Sequence, residues 1–235
     1  MDEKTMHKGH RKRLKERFCQ EGLEGFSDHQ VLELLLFYAI PQRDTNPLAH
    51  ALIDHFGTLP QVLEAPVAEL EKVKGMGNGA AVLVALTTAI SRYCGIRSAE
   101  RESILKTTEQ CARYMIPYFK SRRDETVFLL CLDAKCKVLC CREIARGSTN
   151  AAPVSVRKIV EMALAVNATS VMMAHNHPSG VAIPSGDDIM TTRRIAVALD
   201  AVGIVLGDHF VIADDDYVSL YASGYYHPEE CRALI

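Results

Sequence analysis

Ala174-His175-Asn176-His177-Pro178-Ser179-Gly180, continued through Ile183-Pro184-Ser185-Gly186-Asp187-Asp188, concentrates more chemistry than any other stretch of the chain. Thr169-Ser170-Val171-Met172-Met173-Ala174 leads into it as a short apolar run that reads as a buried strand. A strand puts residues i and i+2 on one face, so His175 and His177 project together from its C-terminal end. Pro178, Ser179 and Gly180 break the strand into a loop. Ser185 then opens a helix in the S/T-x-x-D/E capping pattern, which places Asp188 in the first helical turn, on a loop able to fold back over the imidazoles.

Each of these residues has an ordinary use when taken alone. A His-x-His pair is common on exposed segments, a serine before a helix is an N-cap, and an aspartate in the first turn complements the helix dipole. At the end of one buried strand they make a three-donor set, His175, His177 and Asp188, for a divalent cation. Two imidazoles and a carboxylate suit Zn2+, with a fourth tetrahedral position left for water. A site with an open position is the catalytic kind, because zinc brings the pKa of water to about 7.

The spacing His175-x-His177-x7-Ser185-x2-Asp188 is similar at every position to the JAMM motif of the MPN+ metallopeptidases. His175-Asn-His-Pro-Ser-Gly180, Pro184-Ser185 and Asp208-His209 resemble the RadC family in particular, and the likeness covers most of the chain. The resemblance implies a mixed-sheet MPN/JAMM domain, cytidine-deaminase-like in architecture, with one zinc per chain. It implies a hydrolase that cleaves peptide or isopeptide amide bonds in a peptide or protein substrate. It also implies a glutamate base at the start of the first strand after an opening helix; Glu125 fits that place, with Glu143 on the neighbouring strand as the fallback. Ser185 would donate to the developing oxyanion, and His209 with Asp208 would support the ligands rather than join them. One departure is visible: the family's common Pro-Arg-Glu before the second helix is Ser155-Val156-Arg157-Lys158 here.

The remainder of the chain sets the context. At 235 residues, with 24% charged and 48% hydrophobic side chains, this is the composition of an ordinary globular protein holding one large domain or two small ones. The net charge of −2 argues against a strongly basic nucleic-acid binder as a whole. No signal peptide is visible at the N-terminus, and no apolar run reads as a membrane span, so the expected location is cytoplasmic. Eight cysteines without a CxxC pair read as buried thiols of a reducing compartment. Cys131, Cys136, Cys140 and Cys141 fall in one hairpin, but alternation sends Cys140 and Cys141 to opposite faces, against a second metal site.

Residues 4–17 carry Lys4, Lys8, Arg11, Lys12, Arg13, Lys15 and Arg17 against Glu16 alone, which reads as a solvated helical face before it reads as a phosphate-binding arm. Ser27 with Gln30 caps the next helix, Asn46-Pro47 begins another, and short helices follow over 59–64 and 67–72. Gly75-Met76-Gly77 then joins two helices in a way that resembles a helix-hairpin-helix element. Gly75, Gly77, Asn78 and Gly79 would offer backbone amides to DNA phosphate, although Asn78-Gly79-Ala80-Ala81 lacks the basic residue that often follows the second glycine.

The expected organisation is therefore α/β of the α+β kind. An all-helical N-terminal domain spans 1–97, a polar linker 98–106, and the mixed-sheet domain 107–235. Within the last, a helix over 108–120, a hairpin over 125–150, a helix from Ser155, the His-bearing strand, the Asp188 helix and two further strands follow in order. An adaptor for DNA or protein in repair or recombination, with a structural or idle metal, is the alternative function. A nuclease ranks third, because phosphodiester chemistry commonly uses two metals and several carboxylates.

Overall fold

In the computed structural model, residues 3–99, 104–147 and 154–229 are described, with the side chains of 3–8 excepted. The Lys4 and Lys8 side chains, linker residues 100–103, the expected hairpin end at 148–150 and Cys231 lie outside them. The chain divides into two compact units, Met1–Ser91 and Arg92–Ile235.

The first unit is helical: α1 (Glu3–Glu21), α2 (Asp28–Ala39), α3 (Asn46–Phe56), α4 (Leu59–Leu63), α5 (Val67–Leu70) and the first part of α6 (Asn78–Ala99). Ser27 and Gln30 close the expected capping box on α2. The cap of α3 falls on Thr45 rather than Asn46, with Pro47 still in the first turn. Leu32, Leu36, Leu52, Val62 and Leu70 make the core. Several described cations of α1 are engaged by the chain itself, while Lys12 and Arg13 are exposed. Arg11 donates to the carbonyls of Ile40, Pro41 and Arg43 and lies over Phe37, Arg17 pairs with Glu21 and caps Gly25, and Lys12 pairs with Glu16.

The second unit is built on one five-stranded mixed sheet, in the order β2-β1-β3-β4-β5, from β1 (Glu125–Leu132), β2 (Val138–Gly147), β3 (Ser170–Asn176), β4 (Val205–Ala213) and β5 (Asp216–Ser219). Only β3 and β4 run parallel; the other pairs are antiparallel. Alternation along the strands divides the core in two. Val127, Leu129, Cys131, Val171, Met173 and Val211 face the layer of α8 (Val156–Ala165) and α9 (Gly186–Asp200). Phe128, Leu130, Leu132, Ala174, Phe210 and Ile212 face α7 (Thr108–Phe119), whose Cys111, Tyr114, Met115 and Tyr118 are buried as expected. Cys140 and Cys141 do go to opposite layers.

Three expectations are corrected. The polar stretch is helix through Ala99, because Ile96 and Ala99 pack against the α7-side core, and Leu105 is fully buried with its amide on the Cys136 carbonyl. One described helix, α6, is by length and composition apolar enough to cross a membrane, contrary to the reading of the sequence; its 22 residues carry only Arg92 and Arg97 as charges. Its small residues Ala80, Ala81 and Val84 belong to the helical core, while Val82, Leu86, Ile90 and Tyr93 are exposed. Finally, Cys19 and Cys94 are exposed rather than buried.

Candidate metal centre

Strand direction brings the expected residues to one end of the sheet. His175 lies at the C-terminal end of β3, and β1 runs antiparallel to it, so β1 begins where β3 finishes. Val127 pairs with His175, and Glu125 stands two residues earlier on the same face. The N-terminus of α9 arrives at this end from the loop 177–185, bringing Ser185 and Asp188.

Three donor groups converge there. His175, His177 and Asp188 each offer a ligand atom within 4.8 Å of the others. His175 Nε2 is 2.9 Å from His177 Nε2 and 3.4 Å from Asp188 Oδ1, and His177 Nε2 is 3.7 Å from Asp188 Oδ2. Zinc with nitrogen and oxygen ligands at about 2.0–2.1 Å keeps neighbouring ligand atoms roughly 3.3 Å apart, so the spacing fits a tetrahedral cation.

Proton placement makes the fit sharper. His177 Nδ1 is 3.1 Å from the carbonyl oxygen of Val181, which can only accept, so Nδ1 carries the hydrogen and Nε2 presents a bare lone pair. Burial pushes His175 down to about 4, against a smaller upward pull from Asp188 and a further downward push from His177, so its ring is neutral near pH 7. Two bare ring nitrogens and a carboxylate aimed at one point suit a positive charge between them.

Asp188 is held for this task. Its Oδ2 accepts from the Ser185 amide at 2.7 Å and from the Ser185 hydroxyl at 2.6 Å, while Ser185 Oγ accepts from the Asp188 amide at 3.2 Å. This capping box engages Oδ2, which also lies 3.7 Å from His177 Nε2, and leaves Oδ1 facing His175 Nε2. Ser185, expected to serve an oxyanion, thus spends its hydroxyl proton on Asp188 in this structure.

Glu143 does not reach this face. It pairs across the sheet with Phe128, on the α7 side, and is gripped by Arg122 and Arg146 at 2.8 Å each; their bonds and charges hold its carboxyl below the usual range. The fallback base is therefore on the opposite side of the sheet from His175. Asp208 is also away from the donor set: it is buried, accepts from Ser219 Oγ at 2.5 Å and from the amides of His209 and Tyr221, and burial raises its carboxyl above the usual range.

Two residues escaped the reading of the sequence. Asn176, between the histidines, is buried and turned to the other face. Its Oδ1 accepts from the Thr126 amide at 2.8 Å and its Nδ2 donates to the Asp124 carbonyl at 3.2 Å, pinning the backbone on both sides of Glu125. Thr192, one turn beyond Asp188, is fully buried against His209. The Ser155-Arg157-Lys158 departure sits in the first turn of α8, where Ser155 Oγ accepts from the Lys158 amide and Lys158 Nζ donates to the Ile144 carbonyl.

In the helical unit, Gly75 has φ +99°, as its tight turn requires, and its carbonyl accepts from Arg43. The Gly77 carbonyl starts α6 by accepting from the Ala80 and Ala81 amides, and Gly77, Asn78 and Gly79 are exposed. The Asn78 side chain donates to Glu71 at 2.8 Å, which sets a carboxylate beside this helix start.

Residues 105–225 match the RadC-like JAB domain family, and residues 6–82 match the UPF0758 N-terminal family. The chain belongs to the RadC-like JAB domain family. A UPF0758 protein of Ruegeria pomeroyi is 37% identical over 217 residues, covering 92% of this chain and 96% of the relative. A UPF0758 protein of Rhodobacter capsulatus is 36% identical over 211 residues, covering 90% of this chain and 99% of the relative. The JAB-family match takes in the whole five-stranded sheet, with α7, α8 and α9 and all three candidate ligands.

Proposed function

We propose that this protein is a zinc-dependent hydrolase of amide bonds, acting on a peptide or isopeptide link in a protein substrate. The observation that carries the reading is the convergence of His175 Nε2, His177 Nε2 and Asp188 Oδ1 at the sheet end where Glu125 begins β1. His175, His177 and Asp188 would hold a zinc ion, which would supply the Lewis acidity that makes a water nucleophilic near neutral pH. Glu125 would take a proton from the attacking water and deliver it to the leaving amine. Its place is kept by Asn176, which fixes the backbone at Asp124 and Thr126. Rotation about Cβ–Oγ turns the Ser185 proton outward to an oxyanion, while the oxygen goes on accepting from the Asp188 amide. With this activity we propose cytoplasmic residence, supported by a cysteine pattern that reads as thiols.

The experiment is to incubate zinc-loaded protein and its Glu125→Gln variant with linear and isopeptide-linked peptide libraries and read cleavage by mass spectrometry. Cleavage by the wild type, reduced at least about 100-fold in a Glu125→Gln variant that still holds zinc, is the expected result. Equal cleavage by the two would remove Glu125 from the mechanism, and no cleavage by either would leave the adaptor reading in its place. In that reading DNA engages Gly75, Gly77, Asn78 and Gly79, and the Glu71 carboxylate beside Asn78 is the feature that weighs against it.

A further inference from the structure

His175 has a second ring nitrogen, and what it touches decides whether the first can bind a cation. His175 Nδ1 lies 2.7 Å from His209 Nε2, and His209 Nδ1 lies 2.6 Å from Thr192 Oγ1. Thr192 Oγ1 is also 2.6 Å from the Asp188 carbonyl oxygen, one helical turn back. A carbonyl cannot donate, and a hydroxyl has one hydrogen, so the Thr192 hydrogen is committed to Asp188. Thr192 Oγ1 must then accept, which places a hydrogen on His209 Nδ1. A neutral imidazole carries one hydrogen, so His209 Nε2 is bare and accepts from His175 Nδ1–H. His175 Nε2 is left bare, facing His177 Nε2 and Asp188 Oδ1.

We infer that Thr192 and His209 are positioning residues that set the tautomer of His175, so that it presents a lone pair to the cation rather than a hydrogen. The inference rests on the metal-site reading above. The direction of the chain begins at a helix carbonyl, the one partner in it that has no choice of role. It also joins two ligands that come from different elements, since Thr192 and Asp188 share α9 while His175 lies on β3 and His209 on β4. All the links are buried: Thr192 is 0%, His175 2% and His209 3% exposed, so water does not compete for them. Among the described residues, the other titratable groups facing His175 are His177 and Asp188, the remaining candidate ligands.

Valine has the shape of threonine but cannot accept. In Thr192→Val, His209 loses the partner for Nδ1–H and places its hydrogen on Nε2, where it donates to His175 Nδ1. The His175 hydrogen then moves to Nε2, into the cation's position. Serine keeps the hydroxyl, so Thr192→Ser keeps the wild-type arrangement.

The test uses the metal-free full chain labelled with 15N-histidine, together with zinc titration against a competing chelator. In the wild type and in Thr192→Ser, His175 Nε2 should give the shift of an unprotonated ring nitrogen and Nδ1 that of a protonated one. In Thr192→Val the two should exchange or average, and zinc affinity should fall about 10- to 100-fold. Circular dichroism confirms that each variant is folded. A wild-type spectrum with the hydrogen on His175 Nε2, or a folded Thr192→Val with unchanged tautomer and unchanged affinity, would overturn the inference. Should the wild type bind no zinc, the metal reading fails, and the nitrogen shifts still decide the tautomer on their own.

Discussion

Asn176 stands between two histidines in the sequence yet works for a glutamate on another strand. Its amide holds the backbone on either side of Glu125, and none of that is readable from 176 itself, because the partners lie 50 or more positions away. Asn176→Ala leaves the buried Thr126 amide without an acceptor and should cost about 1–3 kcal/mol in urea melts, with zinc binding retained. A folded variant of wild-type stability would contradict the role given to the amide. His175 yields a pH prediction for the metal-free protein. Its folded value, about 4, lies below the ordinary 6.5, so the unfolded chain binds the proton more readily between those values. Stability is therefore fully present above about pH 6.5 and declines as the pH falls through that window, by at most about 3 kcal/mol from this ring. His209 is depressed for the same leading cause, burial, and adds in the same direction. Denaturant melts from pH 7 to 4.5 should show the decline in the wild type and a shallower one in His175→Asn; parallel slopes would contradict it.

Among the elements, α9 has the most to do, since its first turn supplies a ligand and its second the Thr192 hydroxyl. The capping box Ser185–Asp188 was legible because its residues are local and its pattern is short. Ser185→Ala removes the hydroxyl bond to Oδ2 and the acceptor for the Asp188 amide. It should lower stability by about 1 kcal/mol and weaken zinc binding, with Ser185→Thr restoring most of both. Unchanged zinc affinity in Ser185→Ala would show that the cap does not aim the carboxylate. The strands were legible as apolar runs, but their order was not. That β1 is antiparallel and β4 parallel to β3 is what brings the start of β1, with Glu125, to the His175 end of the sheet and sets His209 against His175, and pairing across the sheet leaves no periodic mark on either strand. His209 was recognised only through resemblance to the family, and the chain of bonds giving it a role spans 34 positions to His175.

At the scale of the whole molecule, composition and motif spacing were enough to expect helices first and a mixed sheet second. They failed where polarity was read as linker. Ser98-Ala99-Glu100-Arg101-Glu102-Ser103 is polar by composition, but its first two residues are still α6, and Leu105 two positions beyond it is 1% exposed. A fragment beginning at Arg92 keeps Ile96, Ala99 and Leu105 with the core they cover; one beginning at 107 loses all three. The shorter fragment should be the less stable by at least about 2 kcal/mol, the value of burying one leucine side chain, as read by thermal or urea unfolding. Equal stability of the two would mean that the segment before α7 adds nothing to the sheet domain.

The convergence of two lone pairs and a carboxylate oxygen is the claim on which the rest depends, and metal content tests it most directly. Full-length protein stripped with chelator, equilibrated with zinc and freed of excess should retain about one zinc per chain by mass spectrometry. The His175→Ala/His177→Ala and Asp188→Asn variants, folded by circular dichroism, should retain little or none. Zinc held equally well by those variants, or by none of the proteins, would contradict the assignment of His175, His177 and Asp188 as a metal centre.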